Sequence, residues 1–211
     1  MSARRQSVPA DAAAAPRADA GGGDAALLAR LAAREAGALR QIIAREAAGL
    51  HRIAYRMIGD AGEAEDIVQE ALLRLWDHAP ALAARHPMGS AAAARLRLGG
   101  WLTRVVTNLA IDRIRRARRV MLGTVPDRPD AAPRADARIE ADEAQGTARA
   151  LIAALPERQR AAIVLTYYEE LPNSAAAAAL EMNLKAFESL LLRARAALRR
   201  AYEARMQGGE P

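Results

Sequence analysis

Residues 101–119 read WLTRVVTNLAIDRIRRARR, and the way their side chains alternate decides the fold. Leu102, Val105, Val106, Leu109 and Ile114 recur at the three- and four-residue steps of an α-helix, so one side of this segment can face a core. Arg104, Asn108, Asp112, Arg115 and Arg119 follow one another at intervals of 4, 4, 3 and 4 and form one polar stripe. Six arginines against Asp112 leave the segment at a net +5. Cations for phosphates, interrupted by short polar groups that can reach a base edge, are what nucleic-acid recognition requires. A solvated helix face carries the same stripe. The cluster Arg115, Arg116, Arg118 and Arg119 favours binding, because packed like charges repel unless an anion neutralises them.

The whole chain agrees with a helical reading. Of its 211 residues 52% are hydrophobic, yet there are only one Phe, two Trp and four Tyr, so the apolar content is mostly Ala and Leu. These are strong helix formers, and the composition argues against a β-sandwich or barrel. The length suits one or two small domains. Cysteine is absent, which removes disulfides, thiolate metal sites and a cysteine nucleophile together. No run approaches the roughly 18 apolar residues of a membrane span, and the N-terminus lacks the basic-then-apolar order of a secretion signal. A cytoplasmic protein without membrane insertion is expected. Lys+Arg total 31 against 25 Asp+Glu, and Lys185 is the single lysine. Arginine's rigid fork suits phosphates and base edges, whereas a GC-rich genome would give the same bias.

Working outward, residues 1–26 are Ala, Pro, Gly, Arg and Asp without apolar periodicity and are expected to form a disordered tail. Helical spacing runs from Leu27 to Trp76, broken at Gly59-Asp60-Ala61-Gly62, and predicts two or three packed helices. Residues 79–100, with Pro80 and Pro87, read as a loop with a short helical piece. After the quoted segment come Pro126, Pro129 and Pro133 in a stretch almost without large apolar groups. It reads as an extended linker, too poor in apolar side chains to hold a permanent contact between domains. Four further helices are expected over 148–155, 158–168, 174–180 and 184–202. The predicted organisation is all-α: a domain over 27–119, a flexible linker over 120–147, a second domain over 148–206 and a tail over 207–211.

The second domain contains a helix-turn-helix pattern. Residues 175–180 form a short small-residue helix, Glu181-Met182-Asn183 the turn with Asn183 as N-cap, and the next helix buries Leu184, Phe187, Leu191, Ala194 and Leu198. Its opposite face offers Lys185, Glu188, Ser189, Leu192 and Arg193. Charge is also partitioned: residues 61–80 hold Glu63, Glu65, Asp66, Glu70 and Asp77 against Arg74, a net of −4. His51, His78 and His86 lack metal-ligand spacing, the glycines form no phosphate loop, and no catalytic set stands out. Neither an enzyme nor a cofactor is expected.

Three stretches together carry a resemblance to a known family: Ala64 through Glu70 to Trp76, Trp101-Leu102 through Asn108 to Arg116, and Leu155-Pro156-Glu157-Arg158-Gln159-Arg160 through Arg195. In order and separation they resemble the extracytoplasmic-function group of bacterial sigma factors, the small promoter-recognition subunits of RNA polymerase. That resemblance implies a non-enzymatic specificity subunit. Its acidic helix, with Glu65, Asp66, Gln69, Glu70, Leu73 and Trp76, would dock on the β′ clamp helices of core RNA polymerase, with the β flap as a second contact. Arg104, Asn108, Asp112, Arg115, Arg116 and Arg119 would melt and read the minus-ten element of promoter DNA. Lys185, Glu188, Ser189, Leu192 and Arg193 would read the minus-thirty-five element in the major groove. An anti-sigma factor is the expected restraining partner.

The chain departs from the family pattern at the turn. Ala175-Ala176-Ala177 stands where Glu-Ile-Ala is usual, Glu181 where Gly is usual, and Glu188 at an often basic position. These changes would loosen the helix-turn-helix or remove phosphate contacts, and Glu188 could accept from cytosine N4. Two other functions fit parts of the pattern: a free-standing helix-turn-helix regulator, and a helical adaptor that binds only proteins, although the charge partition argues against the adaptor.

Overall fold

The computed structural model describes residues 21–123 and 141–207, and within them all regular structure is helical. The first domain comprises α1 (Gly21–Ala32), α2 (Ala36–Ile58), α3 (Ala61–Arg85), α4 (Ala91–Arg95) and α5 (Leu98–Gly123). The second comprises α6 (Ala141–Ala153), α7 (Glu157–Ile163) with a π-helical turn at Val164–Tyr168, α8 (Asn173–Ala179) and α9 (Leu184–Gln207). The break foreseen at residues 59–62 is a built turn. Gly59 ends α2 at φ 87°, a left-handed conformation that favours glycine, and the Asp60 side chain caps α3 by accepting from the Glu63 N–H at 2.8 Å.

The apolar stripes meet as their spacing predicted. Ile42 and Met57 of α2, Ile67 and Leu75 of α3, and Leu98, Leu102 and Val106 of α5 are fully buried together. In the second domain the lone phenylalanine, Phe187, is completely enclosed with Leu165 and Leu180. Leu109 of α5 is buried as expected, while Val105 and Ile114 are half-buried at its margins.

Several boundaries differ from the sequence reading. Most of the expected tail, residues 1–20, lies outside the described residues, but α1 begins at Gly21 and buries Asp24 and Ala25. The cause is tertiary. The Asp24 carboxylate accepts from the Leu98 N–H at the start of α5 at 2.7 Å and pairs with Arg45 Nη2 at 2.7 Å. Arg45 Nε in turn holds Glu46 at 2.7 Å, and Glu46 lies so close to Gly99 that a Cβ there would stand 2.8 Å from its Oε2. Asp24 thus anchors the first turn of α5, and a side chain at 99 would force Glu46 to shift from its place against this turn.

Residues 79–85, read as loop, continue α3 through Pro80. Proline lacks the N–H that would serve the carbonyl four residues earlier, that of Trp76. Arg34 supplies the missing donor: its Nη1 reaches the Trp76 carbonyl at 2.9 Å while its guanidinium lies 4.8 Å from the indole centroid. The linker expected over 120–147 is shorter at both ends, since α5 runs to Gly123 and α6 starts at Ala141. Residues 124–140 and 208–211 are outside the described residues. Leu184, assigned to the core by spacing, is 46% exposed at the first turn of α9, and Leu190 is buried instead.

The expectation that the domains hold no fixed contact is also corrected. The contact is made by side chains outside the linker, with Arg160 of α7 at its centre. Its Nη1 donates to the Met57 carbonyl in the last turn of α2 at 2.6 Å, and its Nη2 donates to the carbonyls of Ala153 and, at 3.5 Å, Leu155. Burial pulls this guanidinium down from its usual pKa, and the nearby Glu157 carboxylate opposes that shift. Replacing Arg160 by Ala strands these carbonyls away from water and is expected to cost roughly 2 kcal/mol. Thermal unfolding followed by circular dichroism checks this, and an unchanged midpoint refutes it.

Candidate nucleic-acid and protein interfaces

Helix α5 presents the predicted stripe. Arg104, Asp112, Arg115, Arg116 and Arg119 are exposed and Asn108 is half-buried, while Leu102, Val106, Leu109, Ala110 and Ile111 point inward. Helical spacing places the six polar groups on one arc of about 120°. The stripe is not wholly open. Arg115 Nε pairs with Glu157 of α7 at 2.8 Å. Arg104 Nε pairs with Glu181, in the turn between α8 and α9, at 3.2 Å, and Asn108 Nδ2 donates to the same carboxylate at 3.4 Å. Asp112, Arg115, Arg118 and Arg119 line a shallow cleft closed on one side by Glu157.

On α3, Glu65, Asp66, Gln69 and Leu73 are exposed on one face, and Leu73 is 63% accessible. Glu70 is half-buried and engaged by Arg74 at 2.6 Å and by Arg113 of α5 at 3.9 Å. Arg113 also pairs with Glu63. The acidic face therefore divides: Glu63 and Glu70 tie α3 to α5, and Glu65 and Asp66 face outward without an ion pair among the described residues. Trp76 is half-buried beneath Arg34, where its position follows from the Pro80 repair.

The helix-turn-helix is well formed despite its unusual sequence. Asn183 caps α9 as predicted, accepting from the Ala186 N–H at 2.8 Å. Small residues allow Ala176, Ala177 and Ala179 to be buried against their neighbours, and Arg158 donates to the Leu180 carbonyl at 2.8 Å, closing the end of α8. Glu181 takes the position of the usual glycine at φ 54°, a conformation costing a non-glycine residue about 1 kcal/mol. Lys185, Glu188, Ser189, Leu192 and Arg193 are all exposed on α9, with Leu192 at 67%. The expected loosening is not seen: the turn is closed by Met182 N–H to Ala177 carbonyl at 2.9 Å.

With this geometry in view, comparison with known proteins is direct. A family model for sigma-70 region 2 matches residues 42–120, and one for sigma-70 region 4 matches residues 146–198. The chain belongs to the extracytoplasmic-function sigma factors of the sigma-70 family. It is 32% identical over 152 residues to the ECF RNA polymerase sigma factor SigE of Mycolicibacterium smegmatis, covering 70% of this chain and 55% of that one. It is 31% identical over 131 residues to SigW of Bacillus subtilis, covering 57% and 65%. The matched part thus spans between half and two thirds of these relatives. Among solved structures, CnrH in complex with the cytosolic domain of CnrY superposes at a TM-score of 0.59 and 24% identity, covering 86% of this chain and 97% of that one. The sigma factor RpoE of Bartonella quintana, solved with the anti-sigma factor NepR, does so at 0.54 and 22%, covering 78% and 96%. Both share the fold.

Region 2 is then α2 to α5 and region 4 is α6 to α9, so α1 precedes the matched region 2 segment while packing into its core. What sequence reading missed is the set of pairs between the regions. Arg52 of α2 meets Glu169 at 3.3 Å, Arg56 lies 4.2 Å from the Tyr168 ring centroid, and Arg149 lies 5.4 Å from that of Tyr55. The π-helical turn, sealed by the Glu169 N–H to the Val164 carbonyl, delivers Tyr168 and Glu169 to α2. No local pattern signals a π turn, and pairs separated by about a hundred residues leave no spacing to read.

Glu157 reports on this contact. The hydrogen bond from Arg115, above all, holds its carboxyl below the ordinary carboxylate range. Its contribution is therefore complete at neutral pH and is lost as pH falls through the lowered value. Carboxyl-detected NMR titration is expected to show the Glu157 midpoint rising toward the ordinary range in Arg115→Ala. An unmoved midpoint would mean that the pair does not persist in solution.

Proposed function

We propose that the protein is a non-enzymatic specificity subunit that binds core RNA polymerase and directs initiation at particular promoters, in the cytoplasm where that polymerase works. One observation carries the reading: an outward acidic face on α3 and a cationic stripe with Asn108 and Asp112 on α5 lie in one region 2 domain, next to a region 4 helix-turn-helix with its polar face open. Glu65, Asp66, Gln69 and Leu73, with Glu70 and Trp76 at the margin, make the polymerase-facing surface, on the β′ clamp helices, and region 4 adds a contact to the β flap. Arg115, Arg116 and Arg119 hold phosphates, Arg104 flanks them, and Asn108 and Asp112 choose bases of the minus-ten element. Lys185, Glu188, Ser189, Leu192 and Arg193 read the minus-thirty-five element. An anti-sigma factor belongs to the proposal, since RpoE of the same fold is solved with one.

Reversal of Glu65 and Asp66 to Lys is expected to weaken binding to core polymerase at least tenfold in a pull-down titration. Helical content should stay unchanged, because exposed charges add little to stability. Equal affinity of variant and wild type would remove α3 from the polymerase interface.

Arg116→Ala and Arg119→Ala should lower holoenzyme binding on all promoters about equally and flatten the salt slope by roughly one unit per contact. Asn108→Ala and Asp112→Ala should instead reorder a library of minus-ten variants in run-off transcription. A uniform loss in both sets would contradict the division of roles. Tight, sequence-specific binding of the free protein to duplex DNA would favour a free-standing regulator.

A further inference from the structure

In the helix-turn-helix the side chains able to read bases gather on α9. Beyond Asn173 and Ser174 at its start α8 carries only alanine, and the Asn183 side chain is engaged in capping α9. On the exposed face of α9, Lys185, Ser189 and Arg193 offer donors, but two of the three are turned toward their own helix. The Ser189 hydroxyl donates to the Lys185 carbonyl at 3.0 Å, and Arg193 Nε donates to the Ser189 carbonyl at 3.2 Å. Glu188 is different. It is exposed in the second turn of α9, the part of a recognition helix that meets base edges, and has no hydrogen bond or ion pair among the described residues. It is also the one acid between Leu184 and Tyr202, and an ionised carboxylate only accepts.

We propose that Glu188 makes cytosine the selected base at one position of the minus-thirty-five element. The inference rests on the assignment of α9 as the reader of that element, and names the base that one of its residues chooses. In the major groove only cytosine N4 and adenine N6 present donors, whereas guanine N7 and O6 and thymine O4 are acceptors that repel a carboxylate. Adenine is the poorer of the two partners. Its N7 acceptor lies beside N6 and faces the second carboxylate oxygen, while cytosine shows its amino group alone. An amide at 188 reverses the choice, since glutamine accepts from N6 and donates to N7 of adenine. Leu192 sharpens the selection. It is 67% exposed on the same face, about 6 Å further along the helix axis, and inside the groove it displaces water that would otherwise solvate a mismatched carboxylate. Glu188 therefore rejects wrong bases as well as holding the right one. Lys185, Arg193 and Arg195, all exposed around it, supply the cations that let one acid approach the phosphates.

The test is transcription by holoenzyme from a promoter library in which the minus-thirty-five element is randomised and each promoter is identified by a barcode in its transcript. Wild type is compared with Glu188→Gln, Glu188→Ala and Glu203→Gln. Position 188 is exposed, so none of these changes is expected to disturb the fold. Wild type should favour a C·G pair at one position by about fivefold or more over each alternative. Glu188→Gln should move that preference to adenine at the same position, and Glu188→Ala should level it, with the other positions keeping their order in both. Glu203→Gln removes the same charge from an exposed site further along α9 and should leave the library order as in wild type. A cytosine preference that survives either substitution at 188 overturns the proposal, and so does the same shift in Glu203→Gln. A uniform loss across the library, as a contact with polymerase alone would give, also overturns it. If wild type shows no preference at any position of the element, the assignment of α9 as its reader has failed and the inference falls with it. A preference that Lys185→Ala alters and Glu188→Ala does not leaves that assignment standing and removes the role of Glu188.

Discussion

One buried guanidinium organises the contact on which the arrangement of both domains depends. Arg160 enters the space between α2, α6 and α7 and donates to carbonyls of Met57, Ala153 and Leu155. Carbonyls at the ends of helices lack intrahelical partners and carry the negative end of the helix dipole, so a cation is the group that suits them. A buried charge is costly unless it is hydrogen-bonded, and here carbonyls of both regions accept from the two terminal nitrogens, Nη1 and Nη2. The chain therefore joins region 2 to region 4 at a point far in sequence from the linker.

Around that point the two regions divide the labour of charge. Region 2 brings arginines from α2 and α5, and region 4 brings carboxylates from α7, the π-helical turn and the helix-turn-helix. Such an interface is specific in orientation yet only modestly stable, because ion pairs near the surface are weakened by water and salt. It also reconciles an overall basic chain with its acidic α3: Glu63 and Glu70 serve the internal link to Arg113, and Glu65 and Asp66 face outward.

The same economy of backbone polar groups explains the irregular places. Proline at 80 would orphan the Trp76 carbonyl, and Arg34 restores its donor. The start of α5 is met by the Asp24 carboxylate, with Glu46 pressed on Gly99. Both repairs bear on the course of α3 and α5, so residues away from the exposed faces of those helices still help to set where the faces point.

The sequence by itself determined the helical class, the two domains, the polar stripe on α5 and the capped turn before α9. Each follows from local rules: apolar residues at three- and four-residue steps, Gly and Asp at a break, Asn at an N-cap. The continuation of α3 past Pro80, the order of α1 and the exposure of Leu184 needed the tertiary structure. In the first two, a side chain from elsewhere serves a backbone group that local sequence leaves unsatisfied. The occupation of Arg104, Asn108 and Arg115 by Glu157 and Glu181 was decided only there as well, because electrostatic attraction between groups 42 to 77 residues apart depends on distance in space, which periodicity does not encode.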